Sequence, residues 1–77
     1  MVGNFARSKA GHDRNKIYVI INEDTEYVYL SDGRLRTIDH PKRKKKKHIQ
    51  LVYNRRNPNM TTQNEEIKRA IKMFKED

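Results

Sequence analysis

The sequence predicts a mainly β domain, a small closed or half-closed barrel of about five strands followed by one C-terminal α-helix. Short segments rich in β-branched and aromatic residues alternate or run apolar, with turn formers between them. Asp32-Gly33 stands between Leu30 and Leu35, where a two-residue hairpin turn would sit. Towards the end, Ile67, Ala70, Ile71 and Phe74 recur at the spacing of one helix face. At 77 residues there is no room for a second sheet, and closing the first removes most unpaired edges.

The elements follow in order. Asn4 to Ser8 alternates weakly and reads as the first strand, with Phe5 pointing inward. Lys16 to Asn22 is apolar at nearly every position, the pattern of a strand covered on both sides. Glu26 to Ser31 puts Val28 and Leu30 on one face and Tyr27 and Tyr29 on the other. The Asp32-Gly33 turn then predicts a fourth strand over Arg34 to Ile38, with Leu35 inward and Arg34 and Arg36 side by side on the opposite face. Asp39-His40-Pro41 breaks the pairing. The run Lys42, Arg43, Lys44, Lys45, Lys46, Lys47 is expected to be an exposed connector, because a lysine run cannot bury either face. His48 to Val52 resumes alternation as a fifth strand, with Ile49 and Leu51 inward.

Three parts are therefore expected: a barrel over 1–53 with the basic loop 42–47, a linker over 54–61, and a helix over 62–75. Thr62 and Glu65 have the spacing of a capping box. The helix is too short to be stable alone, so its stripe should dock on the barrel or on a partner. The expected core is Phe5, Ile17 or Tyr18, Val19, Ile21, Val28, Leu30, Leu35, Ile49 and Leu51. A domain of this size buries only about 60% of its unfolded surface. With no cysteine it gains nothing from disulfides.

Charge is the strongest compositional signal: 18 Lys and Arg against 10 Asp and Glu, a formal net of +8. Residues 1–58 hold 14 basic and 6 acidic side chains, while residues 59–77 hold 4 of each. A polyanion is the default partner for such a surface. Nucleic acid ranks above an anionic membrane, since there is no basic amphipathic helix to lie in an interface. The neutral helical segment is expected to be separable from that binding. The longest apolar run, Ile17 to Ile21, is far short of a membrane span, and no signal peptide or myristoylation glycine is recognisable, so the expected location is cytoplasmic.

Three ordered segments resemble the KOW-motif RNA-binding proteins, in particular a KOW ribosomal protein of the archaeal and eukaryotic large subunit and its small bacterial relatives. The first is Ser8 to Tyr18, the second Ser31 to Arg36 followed by Pro41 and the lysine run into His48, and the third Asn64 to Ala70. The family places a glycine where this chain has Asn15, and Asn is the residue next best able to take the left-handed conformation. The resemblance implies an SH3-like barrel that binds structured RNA, foremost ribosomal RNA, and a ribosome-associated location.

The candidate nucleic-acid-binding residues are Arg7, Lys9, His12, Arg14, Asn15 and Lys16 of the opening loop, Arg34 and Arg36, the run Lys42, Arg43, Lys44, Lys45, Lys46, Lys47 with His48, and Arg55 and Arg56. Cations and turn amides held out by a strand suit a phosphate backbone. For each there is a plainer reading: a solvated loop for the lysines, a routine exposed strand face for Arg34 and Arg36. Tyr27 and Tyr29 could stack bases or pack beneath a helix or loop. His12, His40 and His48 share no metal-site spacing, and neither a catalytic motif nor a Gly-rich nucleotide loop is present, so neither an enzyme nor a metal site is expected and no cofactor is implied. The expectation is a non-catalytic binder of structured RNA, with ribosomal proteins as further partners and no membrane or small-molecule substrate. The alternative is a protein-interaction adaptor or DNA-binding module in a transcription or translation complex.

Overall fold

The computed structural model describes residues 2–9, 16–56 and 63–76, with the backbone alone for 53–56 and 74–76. Five strands form one antiparallel sheet: β1 (Asn4–Ser8), β2 (Ile17–Glu23), β3 (Tyr27–Ser31), β4 (Lys42–Lys45) and β5 (Ile49–Arg56). Their order is β4-β3-β2-β1-β5. A 3-10 turn, Lys46–His48, joins β4 to β5, and the helix α1 (Asn64–Glu76) follows. This is the connectivity of a small SH3-like barrel. Among the described residues no helix is long and apolar enough to cross a membrane.

The uninterrupted apolar run of β2 organises the packing, because alternate side chains along it must be covered on opposite faces. Ile17 and Val19 face α1, joining Phe5 of β1 with Ile67 and Ile71 of the helix in one buried cluster. Tyr18 and Ile20 face the other way and join Ala6, Val28, Leu30 and Ile49 in a second. Residues of β3 and β5 lie on opposite sides of β2 in the sheet order yet meet in this second cluster, so the sheet curls around it. Phe5 pairs with Val19 and Ala6 with Tyr18, so β1 repeats the same division. The helix thus docks on the barrel, with Ile67 fully buried.

Phe5, Val19, Val28, Leu30 and Ile49 are buried as expected, and Ile17 and Tyr18 both are, one in each cluster. Ile20 and Ala6, absent from the expected core, are fully buried. Ile21 and Leu51 are only half-buried. The register of β2 against β3 shifts between Ile20 and Asn22, and such a bulge leaves one residue unpaired and re-aims it.

The fourth strand is where the sequence reading fails. Arg34 to Ile38 forms no strand, and the Asp32-Gly33 pair makes no type I′ turn, since no non-glycine residue described here has positive φ. Leu35 is 81% exposed instead of lying in the core. Local side chains take the amides that a ladder would have used. The Asp32 carboxylate accepts from the Arg34 and Arg36 amides at 2.8 and 3.0 Å, and the Ser31 hydroxyl donates to the Arg36 carbonyl at 2.6 Å. The Ile38 amide donates to Asn64 Oδ1 at 2.8 Å, at the start of α1. Short polar side chains compete with strand pairing in this way.

The strand falls instead on the lysine run, which is not a mere connector. An edge strand need not bury a face, and lysines on an edge are a common protection against pairing with another chain. Lys44 pairs with Val28 and Lys42 with Leu30. Both are half-buried, while Arg43 and Lys45 on the opposite face are exposed. Aliphatic lysine stems can lie along apolar surface while their ammonium groups stay hydrated.

Two boundaries also move. β5 continues to Arg56, past the expected end of the barrel at 53, and α1 begins at Asn64. The Ile67 amide donates to the Gln63 carbonyl at 3.2 Å, opening the helix. The expected capping role of Thr62 lies outside the described residues.

Leu30→Ala should lower the unfolding free energy by about 2 to 4 kcal/mol, whereas Leu35→Ala should change it by less than about 0.5. Chemical denaturation of both variants checks this, and a large loss at Leu35 would restore the hairpin register. Gly33 has φ +74, and a Cβ there would collide with the Asn64 carbonyl and lie 2.9 Å from Lys68 Cγ. Gly33→Ala should therefore cost about 1 to 3 kcal/mol. A neutral result in the same melts would mean that loop and helix do not meet.

Candidate nucleic-acid interface

The candidate cations stand on three parts of the barrel. Arg7 near the end of β1 and Lys9 just after it are exposed. The Lys9 amide donates to the His48 carbonyl at 2.9 Å, bringing the start of the basic loop beside the end of the lysine run. Lys46, Lys47 and His48 form the 3-10 turn, whose start is tied to the residue preceding β3 by the Lys46 amide donating to the Glu26 carbonyl at 2.9 Å. The two basic segments, far apart in sequence, are thus adjacent in space.

Alternation then separates the run by exposure. Arg43, Lys45, Lys47 and His48 are exposed, whereas Lys42, Lys44 and Lys46 are half-buried. Burial, and after it the neighbouring Lys44, hold the Lys42 ammonium below the usual lysine range. A bound anion would oppose both effects by favouring the charged ammonium. Lys46 Nζ pairs with Glu23 Oε2 at 3.0 Å, so this cation is partly neutralised within the chain.

The tyrosine face serves the fold. The Arg43 guanidinium lies 4.6 Å from the centroid of the Tyr27 ring, a cation–π arrangement that occupies one face of that ring. The Tyr29 hydroxyl donates to Asp24 Oδ2 at 3.0 Å. Asp24 Oδ1 also accepts from the Tyr27 and Glu26 amides at 2.8 and 3.0 Å, closing the turn between β2 and β3.

Arg34 and Arg36 are exposed, on the loop that replaces the expected strand. Arg34 lines a cleft of about 880 Å³ with Lys16, Asp32, Leu35, Lys68 and Lys72, floored by Ile17 and Ile71. The last two lysines were missed because the helical segment has no net charge. The signal was their spacing: four residues apart, each next to a buried isoleucine, they lie on one side of the helix. Glu65 and Glu66 pair instead with Lys68 at 3.2 Å and Arg69 at 3.7 Å, in exposed positions where such pairs contribute little. The helix thus adds two cations to the cleft that Arg34 lines.

His12, Arg14 and Asn15 lie outside the described residues. Arg55 and Arg56 belong to β5 by their backbone. No protein-family model matches this chain, and no curated protein matches it.

The Tyr27 amide above all, with the Tyr29 hydroxyl, the Glu26 amide and the charge of Lys46, holds the Asp24 carboxyl below the usual aspartate range. In the unfolded chain its pKa is ordinary. Its stabilisation is therefore complete above the ordinary range and disappears as pH falls through the lower folded value. Asp24→Asn should lower stability at neutral pH and flatten its decline in acid. Denaturation across that pH range checks this, and an unchanged acid slope would remove Asp24 from the account.

Proposed function

We propose that this chain is a non-catalytic RNA-binding protein of the KOW-motif kind, held to structured RNA, foremost ribosomal RNA, by phosphate contacts, and that it works in association with the ribosome. The observation that carries the reading is the lysine run, which is an ordered edge strand and turn. Its cations are held at fixed spacing by the barrel, so an extended polyanion meets them with little further loss of side-chain and backbone entropy. Lys9 adjoins this array through its contact with His48. The barrel connectivity and the sequence segments Ser8 to Tyr18, Ser31 to Arg36 and Asn64 to Ala70 support the KOW resemblance.

On this reading affinity is set by phosphates and hence by salt. If five or six of the cations each displace a counterion, log K falls against log salt with a slope of very roughly −3.5 to −5. Lys45→Ala with Lys47→Ala, both on exposed side chains, should flatten the slope by about 1.5 units and weaken different RNAs alike, because phosphate contacts carry little sequence information. Titrations of a ribosomal RNA fragment, an unrelated structured RNA and a DNA duplex over a salt series test this. A slope untouched by the double variant sinks the role of the lysine strand. A stoichiometric protein that co-purifies through high salt, with no RNA in low salt, sinks the RNA reading in favour of an adaptor.

A further inference from the structure

We propose that the cleft between the β3–β4 loop and α1 receives a single unstacked nucleotide of an RNA strand, its base against Leu35 and its flanking phosphates on Lys16, Arg34, Lys68 and Lys72. The inference rests on the RNA-binding reading above and adds a second, chemically different site to it.

The observation is a juxtaposition. Four cations from the approach to β2, the loop and the helix surround one recess; among the described residues Glu65 pairs with Lys68 at 3.2 Å in an exposed position, and the carboxylate that lines the recess is Asp32. That carboxylate already accepts the Arg34 and Arg36 amides through Oδ1. Among these cations stands Leu35, 81% exposed, and its position is not slack. The loop carrying it is held by the Ser31 and Asp32 hydrogen bonds and by Ile38 to Asn64, while Gly33 abuts the first turn of the helix. A fixed, exposed leucine in a ring of positive charge is costly surface in the free protein. It suits a ligand that is both anionic and apolar.

The recess also limits what that ligand is. Its volume of about 880 Å³ falls in the range of small-molecule sites, about 300 to 1,000 Å³. Ile17 and Ile71 are each 8% exposed, so they offer little open apolar area beyond Leu35. An amphipathic peptide helix needs a row of anchoring pockets along a groove, and here, among the described residues that line the recess, the one widely exposed apolar side chain is Leu35. A duplex backbone needs cations but no apolar contact. One flat base with phosphates on either side uses both features, and splayed-out bases are how single-stranded RNA segments are commonly read.

The experiment compares a short oligouridylate with the same strand carrying an abasic ribose at its centre, which keeps every phosphate and removes one base. Both are titrated into the full isotope-labelled chain and followed by amide chemical shifts. With the uridylate, Arg34, Leu35, Lys68, Ile71 and Lys72 should shift, and the abasic strand should bind roughly three- to tenfold more weakly, an aliphatic contact contributing about as much as, or less than, the weakest base–aromatic stacking. Leu35→Ala, at an exposed position, should bring the two strands to equal affinity. Lys68→Gln with Lys72→Gln should weaken both strands.

Equal binding of the two strands by the parent, with shifts confined to Lys42–His48, overturns the cleft and leaves the phosphate reading intact. No shift with any oligonucleotide or structured RNA, even in low salt, overturns both. Shifts of the cleft residues with an acidic leucine-containing peptide but not with the uridylate overturn the proposal in favour of a protein partner.

Discussion

Everything in this small domain depends on β2 being apolar on both faces. A strand of that kind cannot sit on a surface, so each face needs its own cover. One cover is the sheet itself, curled so that Val28, Leu30 and Ile49 close over Tyr18 and Ile20. The other is α1, which brings Ile67 and Ile71 onto Ile17, Val19 and Phe5. The helix is thus the second half of the packing around one strand rather than an appendage. A domain of this length has no apolar surface to spare, and removing α1 would open a whole cluster to water.

The same economy explains where the cations lie. The sheet has two edges, and β4 is one of them. A lysine-rich edge is poor at pairing with another copy and good at meeting a polyanion, and its half-buried Lys42 and Lys44 stand opposite Leu30 and Val28 in the ladder. Protection of the edge and attraction of an anion are therefore properties of one strand. Arg43 shows the overlap within a single side chain, lying over Tyr27 while remaining exposed.

Much of this was legible in the sequence. Strands β1, β2, β3 and β5 and the helix follow from period-two and period-3.6 patterning, and the run Ile17 to Ile21 announced a strand covered on both sides. The fourth strand was not legible, because two local signals pointed the wrong way. Asp32-Gly33 has the composition of a tight hairpin, but its glycine serves a close approach to the helix and its aspartate binds the loop's own amides. The lysine run looked too polar to be a strand, a rule that holds for buried strands and not for edges. At the candidate interface, the exposure of Arg34 and Arg36 was readable and the alternating exposure along the lysine run was not, while net charge per segment hid the clustering of Lys68 and Lys72. Charge summed along a chain carries no information about the face on which it gathers.

The hydrogen bond from the Ile38 amide to Asn64 joins the long β3–β4 loop to the first residue of the helix, beside the point where Gly33 meets Lys68. Loop and helix start are therefore tied together at two adjacent points. The thirteen-residue helix is held to the barrel through one buried cluster, and its detachment is a local opening that costs no more than the global stability of the domain. Each detachment separates the walls of the cleft that Arg34 and Leu35 share with Lys68 and Lys72. A ligand bound in that recess would hold loop and helix together, and would lower hydrogen exchange in α1 and in the loop amides by a common factor, by mass action alone.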